Sequence, residues 1–374
     1  MTTIDFVMGM YQGGGPRNVY TFSKYLNAYK YESAVLQFID PRFFRFVESL
    51  SRGVENYGSK VKMPGIVASY SNILYELISK IPSVLTLPFV SSSYITRALT
   101  LSKFGAPDIY IATDWGSFFP TLLASNKKKA EMLYFVQTDE STFKKDRVYK
   151  KMAKRTYEIQ RVRITQSLWV KSMLDEVYGG TNYYIGFGIA PIFFTMKHEK
   201  NSKTLFTIAR NSFDKGFDIF VKAVNDLWSK RKDFSVVIVG EREILEISRI
   251  NFPYRYLGWI RDDVILSEIY SRSIFINTGR FEALPMPALE AMASGAPVVL
   301  NDITGNREFA VPFENCLVSS VSDPLSFSNN ISTLLDSPEL QFSLGQQARI
   351  TANKYKWDTV IGEFLNVIHK EFDL

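Results

Sequence analysis

Residues 280–300 read RFEALPMPALEAMASGAPVVL and predict a loop, a short helix and a buried strand in succession. Two prolines stand near the start of the helical run and Ser294-Gly295 follows its end. This is the usual asymmetry of a helix, with proline in the first turn and glycine after the last. Glu282 is therefore expected on the loop that enters the helix, and Glu290 within its first turn or so. Free backbone N–H groups between the two carboxylates suit an anion.

Short apolar runs alternate with helical patterns on both sides of this segment. Strands are predicted at 4–8, 35–39, 109–113, 131–136, 163–167, 205–209, 236–239, 255–259 and 274–277. Helices are predicted at 16–29, at 168–178, within 214–230 and at 358–372. Alternation of this kind predicts parallel sheets covered by helices.

The chain is long enough for two globular domains, with 374 residues of which 46% are hydrophobic and 22% charged. We predict an N-terminal domain at 1–188, a C-terminal domain at 203–357 and a hinge at 186–203. We find no run of eighteen apolar residues that predicts a membrane span, and no signal-peptide pattern at the N-terminus. A single cysteine, Cys316, excludes an internal disulfide. These features predict a cytoplasmic protein.

The positive charge of the chain is concentrated in Lys127–Arg163. This segment contains eight lysines and four arginines against five acidic residues, a net of +7, whereas the whole chain carries +6. A solvated helix face fits this pattern, and so does a surface for anionic lipid headgroups or a lipid-phosphate acceptor at the inner face of the membrane. No recognition motif supports nucleic acid as a third partner, and none is expected.

The segment from Glu282 to Glu290 resembles the Glu-x7-Glu signature of retaining glycosyltransferases of family 4, such as those of surface polysaccharides and glycolipids. The resemblance covers most of the chain and is strongest at 204–357. It implies the α/β architecture called GT-B, in which two Rossmann-like domains have parallel sheets that face each other across an inter-domain cleft. It also implies that the C-terminal helix, 358–374, crosses back onto the first domain. The implied reaction moves a sugar from a UDP- or GDP-sugar to an acceptor hydroxyl on a glycan or glycolipid, with retention at the anomeric carbon.

Two cations follow a predicted strand of the second half. Arg210 and Lys215 read equally as solvated surface cations, but they match the family's strand-end arginine and following Lys-Gly. The resemblance implies that both bind the diphosphate as it leaves and gains negative charge. By the same matching, Gly240, Gly258 and Trp259 are expected beside the donor, where main-chain groups read the nucleobase.

The two glutamates receive different roles from the resemblance. Glu290 is expected to accept hydrogen bonds from the donor ribose, although a helix acid favoured by the macrodipole is the structural alternative. Glu282 is expected near the sugar or distal phosphate, where it can stabilise positive charge at the anomeric carbon. The backbone N–H groups of Ala283 and Leu284, which replace the family's usual Gly-Phe, are expected to bind phosphate.

A glycine-rich segment, Gly13–Asn18, follows the first predicted strand. It lacks the third glycine of a dinucleotide fingerprint and the Gly-Lys-Ser/Thr of a P-loop, so that a tight turn explains it as well as a phosphate cradle. The resemblance implies that Gly14 and Gly15 turn their backbone toward the donor phosphate and the acceptor. Arg17 is a candidate for an added charge on the acceptor side.

Many relatives carry a histidine just after the strand that ends at Val136, and this chain has none there. Asp139 is the first candidate for contacting the acceptor hydroxyl and Asp114 the second, while helix capping explains either aspartate equally well. The two histidines, His198 and His369, have no partner in sequence that suggests a triad or a zinc site.

No metal and no other cofactor is expected, because this fold neutralises the diphosphate with its cations and a helix N-terminus. Three alternatives to an active transferase remain open. A nucleotide-sugar 2-epimerase of the same fold would need further acids and histidines, and the chain looks short for a glycogen- or starch-type synthase. The third, a catalytically silent nucleotide-sugar-binding subunit of a glycosylation complex, also agrees with the missing histidine.

Overall fold

The computed structural model describes residues 2–8, 14–29, 31–37, 60–62, 107–142, 147–196 and 202–372. The chain divides into two compact units. The first comprises Met1–Ile185 together with Ile361–Leu374, and the second comprises Gly186–Val360. The segment predicted as a hinge, 186–203, groups with the second unit. Most of the segment 42–103, in which the sequence shows no recognisable motif, lies outside the described residues.

The first unit is built on a seven-stranded sheet of order β3-β2-β1-β4-β5-β6-β7, in which every pairing is parallel. Its strands are β1 (Thr3–Met8), β2 (Glu32–Gln37), β3 (Lys60–Lys62), β4 (Ile109–Ala112), β5 (Glu131–Val136), β6 (Val162–Thr165) and β7 (Thr181–Tyr184). Its helices among the described residues are α1 (Gly14–Ala28), α2 (Trp115–Lys128), α3 (Arg147–Ile159) and α4 (Leu168–Tyr178).

The second unit contains a six-stranded sheet of order β10-β9-β8-β11-β12-β13, again with parallel pairing. Its strands are β8 (Thr204–Ala209), β9 (Ser235–Gly240), β10 (Arg255–Tyr256), β11 (Ile274–Asn277), β12 (Val298–Asn301) and β13 (Leu317–Ser319). Its helices are α5 (Phe217–Lys230), α6 (Arg242–Ile247), α7 (Asp263–Ser271), α8 (Met286–Ala293), α9 (Pro324–Asp336) and α10 (Pro338–Ala352). The last helix, α11 (Trp357–Glu371), begins in this unit, and its residues from Ile361 onward group with the first.

Each sheet is buried because its central strands are apolar on both faces, as parallel strands covered by helices require. In the first unit, Phe6 of β1 packs on Phe22 of α1 with ring centres 5.5 Å apart, and Phe22 packs edge-on against Phe364 of α11 at 5.0 Å. In the second unit, Phe206 of β8 and Phe275 of β11 pack on Tyr270 of α7. These contacts fix the helices over the sheets, so that the loops after the strands have defined positions.

The predicted α/β chain with two parallel sheets is confirmed. The boundaries differ in places, and the reasons are local. The strand expected at 255–259 contains only Arg255 and Tyr256, because the chain turns at Gly258, whose φ of 69° lies in the left-handed region. Helix α1 begins at Gly14 and not at Pro16.

Candidate active site

The site residues predicted in the second unit follow four neighbouring strands of its sheet. In the order β10-β9-β8-β11, the first strand is followed by Gly258-Trp259, the second ends at Gly240, the third is followed by Arg210 and the fourth by the loop that carries Glu282. The strands are parallel, so their carboxyl ends meet at one edge of the sheet, the usual place for a ligand in such folds. The structure therefore brings segments far apart in sequence to a single edge.

Lys215 and Glu282 are in direct contact at this edge. The Lys215 Nζ lies 2.7 Å from Glu282 Oε2, and the glutamate side chain is only 16% exposed. Lys215 closes a 3-10 turn that ends at Gly216, whose φ is 65°. A Cβ at Gly216 would lie 2.0 Å from the carbonyl oxygen of Thr278, so that only glycine allows the two loops to approach this closely.

Arg210 contacts a different carboxylate. Its Nε lies 3.1 Å from Glu241 Oε1, and its guanidinium lies 5.0 Å from the centre of the Trp259 ring. The other oxygen of Glu241 accepts a hydrogen bond of 2.6 Å from the backbone N–H of Asn211. In this structure the two predicted phosphate-binding cations therefore pair with separate glutamates of the same edge.

Glu290 is buried within α8. The helix begins at Met286 after Pro285, so that Glu290 is its fifth residue, at the start of the second turn and close to the first turn where it was expected. Glu290 is 5% exposed, and its neighbours from Ala288 to Ala293 are all buried. A carboxylate at such a position needs polar partners, because a buried charge without them is strongly unfavourable.

Ala283 and Leu284 lie on the loop between Glu282 and α8. Leu284 is buried, and its carbonyl accepts a hydrogen bond of 3.0 Å from Met286 N–H. Gly305 packs on the same loop, where an added Cβ would lie 2.2 Å from the Glu282 carbonyl oxygen. The loop after β11 is thus packed from both sides.

Gly240 and Gly258, which were both expected beside the donor, are joined by a backbone hydrogen bond. Gly240 at the end of β9 donates its N–H to the Gly258 carbonyl at 3.0 Å, and its own carbonyl accepts from the Tyr256 hydroxyl at 2.7 Å. Gly240 has a φ of 114°, and a Cβ there would meet the Ala209 carbonyl oxygen at 2.1 Å. Trp259, next along the chain, is half exposed at the same edge.

The candidates of the first unit follow β1, β4 and β5, which are adjacent in its sheet. Gly14 and Gly15 form the start of α1, with Arg17 as its fourth residue, while Gly13 lies outside the described residues. Asp114 is the N-cap of α2, and its side chain accepts from Ser117 N–H at 2.9 Å in a capping box. Helix capping therefore accounts for Asp114, the structural alternative that the sequence left open.

Asp139 and Glu140 follow β5 and differ in their surroundings. Asp139 is half-buried, and its Oδ1 accepts from Ser141 N–H at 3.0 Å. Glu140 is buried, and its Oε2 accepts a 2.7 Å bond from Trp115 N–H at the start of α2. Burial, and next the nearby charge of Asp114, hold the pKa of Glu140 well above its ordinary value. Sequence reasoning missed Glu140, because two adjacent acids give no signal of which one turns inward.

The basic segment forms an exposed surface on α3 and at the end of α2. We call this surface the basic face and define it by its exposed cations, Lys127, Lys129, Lys150, Lys151, Lys154, Arg155 and Arg161. The exposed apolar side chains Leu123 and Ile159 lie on the same two helices.

Arg163 does not belong to the basic face, although it ends the predicted segment. It is fully buried, and its guanidinium donates to the side chain of Asn182 at 2.7 Å and to the carbonyls of Tyr157 and Gly179. Burial lowers its pKa. The sequence had placed Arg163 within the exposed basic segment, and this was wrong. Its guanidinium can be buried because it donates hydrogen bonds to polar groups inside the unit.

None of the helices formed by the described residues combines the length and the apolar character that a bilayer crossing requires. Among the same residues, no three histidine, cysteine or acidic side chains are grouped as a metal site would need.

The second unit matches a known family. Residues 189–351 match the sequence model of the family described as Glycosyl transferases group 1. An uncharacterized glycosyltransferase of Methanocaldococcus jannaschii is 24% identical over 153 residues, which are 39% of this chain and 42% of that protein. The chain spans about half the length of the curated relatives it matches, between 42% and 49% for three of them. The predicted resemblance to glycosyltransferases is confirmed.

The fold is similar to that of solved glycosyltransferase structures over its whole length. Sucrose-phosphate synthase from Thermosynechococcus elongatus has a TM-score of 0.77 at 14% identity, and 100% of each chain is covered. The Anabaena protein HepE in complex with UDP-glucose has a TM-score of 0.74 at 15% identity, again with 100% of each chain covered. At these identities the likeness establishes the fold, which is GT-B with two Rossmann-like domains.

Proposed function

Because residues 189–351 match the glycosyl transferases group 1, we propose that this chain transfers a sugar from a nucleotide-diphosphate sugar to an acceptor hydroxyl, with retention at the anomeric carbon. The donor is a UDP- or GDP-sugar, and the acceptor is a glycan or glycolipid. The solved complex of HepE with UDP-glucose, a protein of the same fold, supports a nucleotide-sugar donor.

The observation that carries this proposal is the contact between Lys215 and Glu282 at the sheet edge where Arg210 also lies. As the bond between sugar and diphosphate breaks, negative charge grows on the phosphate oxygens and positive charge on the anomeric carbon. A cation and a carboxylate held 2.7 Å apart offer opposite charges to these two developing charges. Arg210 adds a guanidinium for the diphosphate, which it would reach by leaving Glu241.

Glu290 would bind the donor ribose through its buried carboxylate, and the N–H groups of Ala283 and Leu284 would bind phosphate. Gly240 and Gly258 lie against each other beside Trp259, which agrees with a main-chain pocket for the nucleobase. In the reaction, the departing phosphate oxygen would accept the proton of the acceptor hydroxyl on the same face of the sugar. Arg210 and Lys215 would stabilise the diphosphate without a metal ion.

The acceptor side is proposed to lie in the first unit. Asp139 remains the first candidate there, because its half-buried carboxylate follows β5, whereas Asp114 caps a helix. Gly14, Gly15 and Arg17 remain candidates next to it. We further propose that the basic face binds an anionic membrane surface from the cytoplasmic side.

The experiment that tests the donor site is calorimetric titration of the protein with UDP and with GDP. One of the two should bind, and Glu290→Ala should raise its dissociation constant by one to two orders of magnitude, because lost hydrogen bonds to a charged group are worth roughly 1.5–3 kcal/mol. Glu339→Ala, which removes an exposed glutamate of α10, is the control and should leave the affinity unchanged. The donor site is refuted if neither nucleotide binds or if Glu290→Ala binds as tightly as the control.

Slow hydrolysis of a panel of nucleotide sugars then separates an enzyme from a silent binding subunit. A transferase should release UDP or GDP from one donor at a rate that Lys215→Ala lowers. Tight nucleotide binding without hydrolysis of any donor would instead favour the silent subunit, with which the absence of a histidine after Val136 also agrees.

A further inference from the structure

We propose that Arg280 is a positioning residue that holds together the two loops carrying Lys215 and Glu282, and that it thereby controls the affinity of the site for a nucleoside diphosphate. The inference rests on the proposed function for its ligand, but the arrangement of the loops can be tested without any ligand. We call the contacts of Arg280 with Phe213, Asp214 and Asp218 the loop brace.

The side chain of Arg280 reaches from the loop after β11 to the first turn of α5. Its Nη1 and Nη2 lie 2.7 and 2.8 Å from the two carboxylate oxygens of Asp218, which is the two-pronged geometry that arginine favours with carboxylates. The hydrogen bonds from Arg280 also hold the pKa of Asp218 below its ordinary value, so that the pair stays ionised at neutral pH.

Arg280 also binds the turn that leads to Lys215. Its guanidinium lies 4.2 Å from the centre of the Phe213 ring, and its Nη1 donates to the Phe213 carbonyl at 2.8 Å. Its backbone N–H donates to the carbonyl of Asp214 at 2.7 Å. Side chain and main chain therefore bind the two residues just before Lys215.

The loop brace lies next to both Lys215 and Glu282 in sequence, so that it can set the positions of the two side chains. Asp214 directly precedes Lys215, and Glu282 follows Arg280 by two residues. Arg280 binds Phe213 and Asp214, which directly precede Lys215, and its own loop carries Glu282. The contact between Lys215 and Glu282 therefore lies just after the point at which Arg280 holds the two loops together. Behind the brace, the side-chain amide of Asn301 donates to the carbonyls of Thr278 and Gly279, which fixes the base of the second loop.

Only an arginine can make this set of contacts. A planar guanidinium binds both oxygens of a carboxylate while its face lies on an aromatic ring, whereas a lysine ammonium has neither the fork nor the flat face. We therefore expect Arg280→Lys to behave like Arg280→Ala in its effect on the loops, even though it keeps the positive charge.

The same unit offers a matched control in Arg231. This arginine lies at the other end of α5 and pairs with Asp233 and Asp336 at 2.6 Å. Its side chain is 19% exposed, against 14% for Arg280. Loss of either arginine removes a similar ion pair, but only Arg280 lies beside the loops of Lys215 and Glu282.

The test compares Arg280→Ala, Arg280→Lys and Arg231→Ala by amide hydrogen exchange and by titration with UDP and GDP. Both Arg280 variants should speed exchange in 212–216 and 279–284, and should raise the dissociation constant of the bound nucleotide about tenfold, as expected when binding groups lose their positions. Arg231→Ala should lower the melting temperature comparably and leave the exchange of these loops and the affinity unchanged.

The loop brace is refuted if exchange in both loops is the same in Arg280→Ala as in Arg231→Ala, or if Arg280→Lys restores it fully. If faster exchange leaves the nucleotide affinity unchanged, the brace holds the loops but the claim of control over affinity is wrong. Failure of the proposed function is distinct, because a wild-type protein that binds neither UDP nor GDP leaves the exchange comparison intact.

Discussion

The buried Glu140 carboxyl joins the end of β5 to the start of α2. Its Oε2 accepts from Trp115 N–H at 2.7 Å, and the Tyr134 hydroxyl lies 3.4 Å away. Burial raises its pKa, and so does the charge of Asp114. For a carboxyl whose pKa is higher in the folded than in the unfolded chain, the stabilisation is complete below the unfolded value and is lost as the pH rises through the folded value.

We predict that Glu140→Gln removes part of the pH dependence of stability. The amide oxygen can still accept from Trp115 N–H, but no buried charge forms as the pH rises. The free energy of unfolding, measured by urea denaturation between about pH 5 and pH 8, should fall with pH more steeply in the wild type than in the variant. Glu131→Gln, which replaces an exposed glutamate at the start of β5, is the control. Identical pH profiles for wild type and Glu140→Gln would show that Glu140 does not titrate as inferred.

Single residues of the candidate site were predictable where a motif fixes their spacing. Glu282 and Lys215 lie on the loops that follow β11 and β8, as their positions after apolar runs indicated, and the structure joins them at 2.7 Å. Glu241 and Glu140 were not predictable, because the partner of a cation and the burial of an acid depend on segments distant in sequence. The burial of Arg163 was not predictable for the same reason, because an arginine at the end of a basic run looks the same in sequence whether it is exposed or buried.

At the scale of elements, α8 and α2 show why one helix was predicted and the other was not. The prolines and the glycine around α8 marked both of its ends. Helix α2 contains Pro120 in its interior, a residue that normally interrupts a helix, and for this reason no helix was predicted there. The capping box of Asp114 and Ser117 starts the helix in spite of this proline.

We predict that Asp114→Ala lowers the free energy of unfolding by about 1 kcal/mol, the usual cost of losing an N-cap. Asp114→Asn should retain most of the stability, because asparagine caps nearly as well. Urea denaturation of both variants measures this difference, and turnover measured beside it tests the acceptor role. If Asp114→Asn is stable but loses turnover, Asp114 acts on the acceptor and is more than a cap. If Asp114→Ala loses no stability, the capping interpretation is wrong.

At the scale of the whole molecule, the division into two α/β units followed from chain length and from the repeated alternation of strands and helices. Local strand and helix patterns did not reveal where the chain passes between units, whereas the family resemblance implied that the C-terminal helix returns to the first domain. Compact packing assigns 186–203 to the second unit and the residues from Ile361 onward to the first. Phe364 explains the second assignment, because its ring packs on Phe22 of α1. Such a contact joins residues at opposite ends of the chain, which local patterns cannot predict.

The uneven charge of the molecule leads to a prediction about membranes. The basic face presents Lys150, Lys151 and Lys154 on one exposed side of α3. Each cation near an anionic bilayer contributes about 1 kcal/mol, so that replacing all three by alanine should weaken vesicle binding by roughly a hundredfold. Sedimentation with phosphatidylserine-containing vesicles at low salt measures this effect, which added salt should reduce through screening.

The matched control for this experiment replaces Lys222, Lys230 and Lys232, three exposed lysines of the second unit, by alanine. It removes the same net charge, so that a general electrostatic attraction would weaken equally in both triple variants. If α3 carries the membrane-binding surface, only the variant with alanine at Lys150, Lys151 and Lys154 should lose vesicle binding. The nucleotide affinity of this variant should equal that of the wild type. Equal losses in the two variants, or equal binding to uncharged phosphatidylcholine vesicles, would contradict the assignment of the basic face to the membrane.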